Sequence, residues 1–466
     1  MNAAEVPGAD TQAPPPTERR SMGDLVRAAL SGWLGTALEF MDFQLYSLAA
    51  ALVFSQLFFA GESQGMAVVL AMATYGVGYV ARPLGALYFG RLGDRIGRRK
   101  VLFYTILLMG AATTLIGVLP TYQQVGILAP ILLVALRLLQ GFGAGAEISG
   151  AGVMLAEYAP RERRGVIASL VALGTNCGTL FASAIWAILL AVMTDASVIA
   201  WGWRIPFIAS AVVMVFAVWV RLNLKESPVF EERADVVEGR ALSREEMVAQ
   251  ATAANDTRTL ESLERKPVKA TIVSFLLRFG QAGNSGLIQT YLISFITVTL
   301  AVQKGVGAQV VIVSSLIGFL TVPLVGWLGD RVGRRRMYIV MSSLSLVLIV
   351  PTMLAIDSKQ IGWIFVGYAI IHNVSVLGLA SLENLSIPEI FGARNRYAAT
   401  GIVREIAAII ATGVGPIIAA AWVAAATGSA IPVMVLLGLF TLATLIAAIW
   451  APEWAGRDLT DPRAAM

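Results

Sequence analysis

Ionisable side chains stand inside stretches that are otherwise continuously apolar. Glu39 and Asp42 interrupt the run at 28–59, Arg137 and Glu147 the run at 126–157, and Arg278 the run at 269–299. His372 lies in the run at 361–391, and the adjacent Arg404 and Glu405 in the run at 397–424. A charge at such a position costs about 2.5–3.5 kcal/mol on insertion scales, so each needs a partner or a task. At about 1.5 Å per helical residue, Asp42 lies about 18 Å from the end of its span if the span starts near residue 30. Arg137 lies about 16 Å from the opposite end of a run that travels the other way, so a facing pair is within reach. The chemistry such a pair offers is a proton switch: ionised Asp42 holds the guanidinium, and protonation frees it. A static buried pair that fixes helix register is the alternative. Glu39 and Tyr46 share the helical face of Asp42 at i−3 and i+4. Glu147, ten residues beyond Arg137, is either a second proton site or a structural acceptor.

The later runs carry a second polar set. Arg278 lies about 14 Å into its run, with Gln281 and Ser285 on its face and Asn284 beside them. His372 and Asn373 reach similar depth. Polar groups at that level on several helices imply a wet central cavity, and two mid-depth arginines favour an anion, because a guanidinium grips a carboxylate through two parallel hydrogen bonds. Substrate contacts are therefore expected from Arg137, Arg278, Gln281, Asn284, Tyr46, His372 and Asn373. Pairing of Arg278 with a neighbouring carboxylate, and a single structural hydrogen bond at His372, remain open. So does a zwitterionic substrate, for which the arginines are structural and aromatic rings hold the cation.

The elements that must position these groups are membrane helices. The 466 residues are 57% hydrophobic and 14% charged, with a mean hydropathy of +0.73. Six apolar runs of about 20 residues or more, the length that crosses a bilayer, precede the middle of the chain and six follow it. The net charge of +5 comes from Lys and Arg gathered in alternate short loops, which marks membrane orientation and argues against a nucleic-acid partner. Both termini are thereby expected in the cytoplasm. Residues 1–27 read as a disordered tail, 28–221 as a six-helix half, 222–268 as a polar cytoplasmic linker, 269–450 as a second half and 451–466 as a C-terminal tail. One cysteine, Cys177, excludes an intramolecular disulfide, and one histidine excludes multi-histidine metal sites. No phosphate-binding Gly-x-x-x-x-Gly-Lys-Ser/Thr run is present, so ATP drive is unsupported and no cofactor is implied, and without a nucleophile–base or metal constellation an enzymatic reaction has little support.

Two stretches are copies of one another. Gly90-Arg91-Leu92-Gly93-Asp94-Arg95-Ile96-Gly97-Arg98-Arg99-Lys100 recurs in register as Gly326-Trp327-Leu328-Gly329-Asp330-Arg331-Val332-Gly333-Arg334-Arg335-Arg336. A second echo places Glu157 and Glu389 before arginines at the ends of two runs. Duplicated bundles are a common transporter architecture. The repeated turn resembles the loop between the second and third helices of the major facilitator superfamily. Gly35 to Tyr46, Ala81-Arg82-Pro83-Leu84-Gly85-Ala86, Arg137-Leu138-Leu139-Gln140-Gly141 and Trp201-Gly202-Trp203-Arg204-Ile205-Pro206-Phe207 resemble its metabolite:proton symporter family. That resemblance implies an all-α membrane protein of twelve spans in two pseudo-symmetric six-helix halves, in the lipid of a bacterial cytoplasmic membrane, as a monomer. It implies proton-coupled uptake of a small organic acid, with proline or betaine transport as the alternative and a non-transporting receptor as the rival of another class. Proton coupling falls to Asp42, Arg137, Glu39 and Glu147. Gating falls to Asp94, Arg95, Arg98, Glu157, Asp330, Arg334 and Glu389. Relatives usually have paired glycines before the glutamate of the fourth span, where this chain has Gly143-Ala144-Gly145-Ala146-Glu147, which leaves the substrate open.

Overall fold

The computed structural model describes residues 22–96, 98–145, 164–223, 236–237, 240–241, 252, 268–391 and 396–455. Twelve helical stretches account for nearly all of them, and each falls on one of the twelve apolar runs. They are α1 (22–58), α2 (64–96), α3 (Arg98–Ile116), α4 (Leu128–Ala144), α5 (Arg164–Val192) and α6 (Arg204–Asn223), the last entered through a 51° bend from Asp195–Gly202. The second six are α7 (268–299), α8 (Lys304–Val332), α9 (Arg334–Asp357), α10 (361–391), α11 (396–425) and α12 (Ile431–Trp450). Between the halves, the described residues form one two-residue antiparallel ladder, Val236–Val237 with Arg240–Ala241.

Eight of these helices are individually long and apolar enough to cross a bilayer; the bent pair at α6 makes a ninth, and α3 and α4 contribute shorter apolar segments. The charged and polar residues of α7 lower its hydropathy, although its length matches the others. Large apolar side chains point outward all round the bundle, among them Ile127, Ile188, Val212, Leu320 and Val347. In water such a surface would aggregate; in hydrocarbon it is the lipid contact.

Each half is held by its own helix pairs, α5 on α1 and α12 on α7 being two of the most extensive. The halves meet where α5 packs on α8 and α10, and α2 on α11. Close approach depends on small residues, as is usual between membrane helices. A Cβ on Gly141 of α4 would run into the Gly78 carbonyl of α2, and one on Gly145 into the Arg82 carbonyl.

Several helices contain a wide turn in which the backbone bonds five residues back rather than four. These lie at Ala50–Phe54 in α1, Leu287–Tyr291 and Phe295–Thr299 in α7, Asn373–Gly378 in α10 and Ile409–Gly413 in α11. A wide turn inserts one residue and releases a carbonyl from the helical ladder, and such turns gather at functional sites. Here they fall on helices along which the halves meet.

Candidate functional site

Arg137 projects from α4 and is completely buried. Its Nη1 donates to Gln140 Oε1, one turn further along the same helix, and its Nη2 lies 3.5 Å from the Tyr75 carbonyl. Phe43, Tyr46 and Tyr75 surround the guanidinium, with ring centroids 4.7, 4.1 and 5.4 Å from its carbon. No carboxylate among the described residues pairs with it, and its Nε has no acceptor.

Asp42 on α1 is buried as well, and it does not form the direct ion pair with Arg137 expected from depth alone. Two side chains intervene. Arg137 binds Gln140, Gln140 Nε2 donates to Thr113 Oγ1 at 2.7 Å, and Thr113 Oγ1 donates to Asp42 Oδ2 at 3.1 Å. Depth fixes the level of a residue but not its azimuth. Asp42 faces α3 and α6, where it lines a small cavity with Glu39, Met109, Gly110, Ser210 and Met214. Arg137 is instead held in the aromatic box between α1 and α2.

Glu39 pairs with Arg82 of α2, whose Nη2 lies 3.0 Å from Glu39 Oε1. Arg82 Nε lies 3.0 Å from Glu405 Oε2 of α11, and all three groups are buried. This contact joins the two halves. Next to Glu405 in sequence, Arg404 donates to Asn384 Oδ1 at 3.2 Å and lies 3.6 Å from Glu383 of α10. Glu383 also accepts from Arg278 at 3.0 and 3.3 Å. Arg278 is thus engaged by a neighbouring carboxylate and by Gln281 Oε1 at 2.8 Å. In the middle of the described bundle, four arginines (82, 137, 278, 404) accompany four carboxylates (39, 42, 383, 405), and only Arg137 lacks a carboxylate partner.

His372 and Asn373 form a separate cluster. His372 Nδ1 lies 2.7 Å from Ser314 Oγ, and its Nε2 lies 2.9 Å from Gln289 Nε2. Asn373 Nδ2 donates to the Ser314 carbonyl and hydroxyl and to the Ala369 carbonyl. Gln289 sits in the wide turn Leu287–Tyr291. Its carbonyl receives Gln44 Nε2 and Ser47 Oγ of α1, each at 3.4 Å, while Ser47 and Thr290 hydroxyls pair at 2.7 Å. Asn284, expected beside Arg278, turns to Thr441 of α12 at 2.9 Å.

The second repeated turn brings its charges together. Asp330 at the end of α8 accepts the backbone N–H groups of Gly165 and Val166 at 2.8 and 3.1 Å, so it caps the first turn of α5 in the other half. A carboxylate there satisfies orphan donors and the positive end of the helix dipole. Arg334 Nη2 donates to Asp330 Oδ1 at 2.7 Å, and its Nε reaches Glu389 Oε2 at 3.4 Å. Only glycine fits at 165: a Cβ would lie 2.5 Å from Arg334 Nη1 and 2.6 Å from the Gly326 carbonyl. In the first copy, Asp94, Arg95 and Arg98 have helical backbones, and their side chains lie outside the described residues, as do Glu147 and Glu157 altogether.

Among the described residues, the structure distributes the sequence-derived candidates over five clusters: Asp42 with Arg137 through a relay, Glu39 with Arg82, Arg278 with Gln281, His372 with Asn373, and Asp330 with Arg334 and Glu389. Tyr46 belongs with Arg137. Arg82, Thr113, Gln140, Gln289 and Glu383 were not among those candidates. Arg82 and Glu383 carry the signal that should have identified them, a charge within an apolar run. Gln140 lies one turn from Arg137. Thr113 and Gln289 have no sequence signal, since a hydroxyl or amide in a membrane helix is ordinary.

Residues 32–380 match the sequence profile of the Major Facilitator Superfamily. The chain is 50% identical to the putative transporter YdfJ of Escherichia coli (strain K12) over 422 residues, covering 90% of this chain and 95% of that one. It is 34% identical to the shikimate transporter of the same organism, covering 85% and 87%. Its backbone is similar to that of the proton:xylose symporter XylE bound to 6-bromo-6-deoxy-D-glucose, with a TM-score of 0.69 at 17% identity, over 95% of this chain and 99% of that one. Twelve helices in a duplicated arrangement, charges buried between the halves and these matches lead to one conclusion: the chain belongs to the Major Facilitator Superfamily and is a multi-pass membrane transporter.

Proposed function

We propose that this transporter couples the downhill entry of protons to the uptake of a small organic acid, a mono- or dicarboxylate or a shikimate-like ring acid. It works by alternating access in a bacterial inner membrane, with the repeated turns and both termini on the cytoplasmic side. The observation that carries this reading is Arg137, a fully buried guanidinium that has no carboxylate partner among the described residues and is hydrogen-bonded in series to Asp42. Among the described residues, with Asp42 ionised, the four central arginines and four carboxylates balance. A proton on Asp42 leaves one net positive charge, which an anionic substrate neutralises. Proton and carboxylate then move together at the lowest cost of burying charge. The aromatic box supports the acid over betaine, because Phe43, Tyr46 and Tyr75 already enclose a cation, the guanidinium itself. The ties at Asp330 and at Arg82–Glu405 are the gate on the side of the repeated turns.

The test is substrate-induced proton movement in proteoliposomes, with shikimate, 2-oxoglutarate, proline and betaine as probes and Asp42→Asn alongside. Alkalinisation outside on addition of an acid, lost in Asp42→Asn, is the expected result. A response only to proline or betaine overturns the acid reading. Binding without flux for every probe points instead to a receptor.

A further inference from the structure

Arg137 has only donors, so the Gln140 atom facing it is the acceptor Oε1, and Nε2 must face Thr113. The orientation of the Gln140 amide is thereby fixed by chemistry. Thr113 Oγ1 receives that Nε2–H at 2.7 Å and has one proton of its own to place. Two acceptors lie within its reach, Asp42 Oδ2 at 3.1 Å and the Met109 carbonyl at 2.9 Å. We infer that Thr113 and Gln140 are positioning residues that transmit the protonation of Asp42 to Arg137, with the Thr113 hydroxyl as the moving part.

The two states differ in one bond. With Asp42 ionised, every donor points the same way, from Arg137 to Gln140 to Thr113 to Asp42. A chain of hydrogen bonds running from a cation to an anion strengthens each member by polarisation. When a proton from water binds Asp42 Oδ2, that oxygen becomes the donor to Thr113 Oγ1, and the Thr113 proton turns to the Met109 carbonyl. No other covalent bond changes. The Thr113 oxygen now accepts from two donors, Asp42 and Gln140, one on each lone pair, so the bond from Gln140 no longer feeds a bond toward an anion. The chain is no longer polarised from end to end. Because the planar Gln140 amide links Thr113 to Arg137 rigidly, a weaker hold on Nε2 is a weaker hold on the guanidinium. Arg137 is then released toward an incoming carboxylate. This inference rests on the proton-coupled reading given above.

The relay joins α1, α3 and α4 through described side chains. On its own helix Asp42 has Glu39, which Arg82 of α2 engages, and Tyr46. Tyr75 and Tyr79 of α2 stand against the Arg137 and Arg82 guanidiniums, and Cys177 of α5 is buried. The faces of α3 and α6 that line the cavity beside Asp42 supply Ile106, Met109, Gly110, Ser210, Val213 and Met214, none of which titrates. That cavity, about 20 Å³, has room for a single water that can deliver the proton.

The experiment is an infrared titration of the full chain in lipid without substrate, following the carboxyl band that Asp42→Asn removes. Thr113→Val takes a hydrogen bond from the ionised carboxylate, so the pH at which the band titrates moves up by about one unit, a tenfold change in proton affinity. Gln140→Leu moves it the same way by less. In the Thr113→Val background Gln140→Leu adds nothing, and Thr113→Ser restores the wild-type midpoint. Additive shifts in the double variant, or an unmoved midpoint in Thr113→Val, overturn the relay. So does the absence of any band assignable to Asp42. Should Thr113→Val fail to fold, Gln140→Leu against Thr113→Ser gives the same decision. Since no substrate is present, failure of all four transport probes would refute the acid reading without changing these shifts.

Discussion

Replacing Asp330 with Asn tests whether the second repeated turn latches the halves together. The carboxylate accepts two backbone N–H groups of α5 and one from Arg334. Asn keeps one acceptor oxygen, turns an NH2 toward the remaining donors and removes the charge facing both Arg334 and the helix N-terminus. Hydrogen bonds to a charged group contribute about 1.5–3 kcal/mol each. A charge at a helix N-terminus adds roughly 0.3–1 kcal/mol, or about 2 kcal/mol where partly buried. Some of the loss is recovered by water once the end opens, so a net shift of about 3 kcal/mol is expected, on the order of 100-fold in the closed-to-open ratio. The readout is maleimide labelling of Ser169→Cys in a Cys177→Ser background. Ser169 is fully buried on α5 and lies against Gly326 of α8, so it becomes accessible only when α5 and α8 part. When opening and closing are fast, the labelling rate follows the open population. Asp330→Asn should therefore label on the order of 100-fold faster. A rate within threefold of the parent would refute the latch and leave the Asp330 contacts as a helix cap without a gating role.

Two further perturbations separate the clusters. Gly165→Ala forces a Cβ against the Gly326 carbonyl and Arg334, and overpacking of this kind costs about 1–3 kcal/mol. It should raise Ser169→Cys labelling with the charges of the latch intact, and an unchanged rate would show that α5 and α8 have slack. Glu383→Gln leaves Arg278 and Arg404 sharing a neutral partner; removing one member of a buried ion pair typically costs 3–5 kcal/mol, so the detergent-solubilised protein should lose several degrees of melting temperature. An unchanged melting temperature would show that water already solvates the cluster.

The chain of hydrophobic runs made the helix count and the duplication legible, because span length and repeated turns are local properties. Asp330 and Arg334 were marked by the repeated turn and Glu389 by its place at the end of α10, but that the three meet was not legible, because nothing local ties the end of α10 to the turn after α8. Nor was azimuth. Helical-face reasoning assumes about 100° per residue throughout. The wide turns at Leu287–Tyr291 and Asn373–Gly378 insert a residue and rotate everything beyond them by that amount. Gln289 therefore faces both His372 and α1, although its sequence position carries no mark of it. Asn284 precedes its wide turn and was misplaced for another reason: it was grouped by proximity to Arg278, while its amide reaches α12. The Arg82–Glu405 contact joins residues from different halves, and a single sequence holds no information on which charges cross that boundary.

Among the described residues, the bonds between the halves are of unequal strength at the two ends, and under the proposed alternating access this would set the direction in which the empty transporter opens. Asp330 on the first turn of α5 lies at the end with the repeated turns, and the buried Arg82–Glu405 pair lies in the middle of the bundle, nearer that end than Ser47 because Arg82 also holds Glu39. Beyond the middle, toward the other end, lie the Ser47–Thr290 hydroxyl pair and the Lys304–Asp195 contact at 3.7 Å, in which the Asp195 side chain is 71% exposed. A neutral hydrogen bond contributes about 0.5–1.5 kcal/mol and an exposed ion pair about 0–1 kcal/mol. Separating a buried ion pair costs several times more, because each partner must be left charged in a dry interior or neutralised. The empty protein should thus favour opening away from the repeated turns. Opening toward them requires compensation for Arg82 and Glu405. The Arg137–Asp42 chain adjoins that pair through Phe43, which lies 5.0 Å from the Arg82 guanidinium carbon and 4.7 Å from that of Arg137. Under the proposed coupling, a substrate anion at Arg137 and a proton at Asp42 would change the field at Arg82 across a single aromatic ring, which would give loading a physical route to the gate.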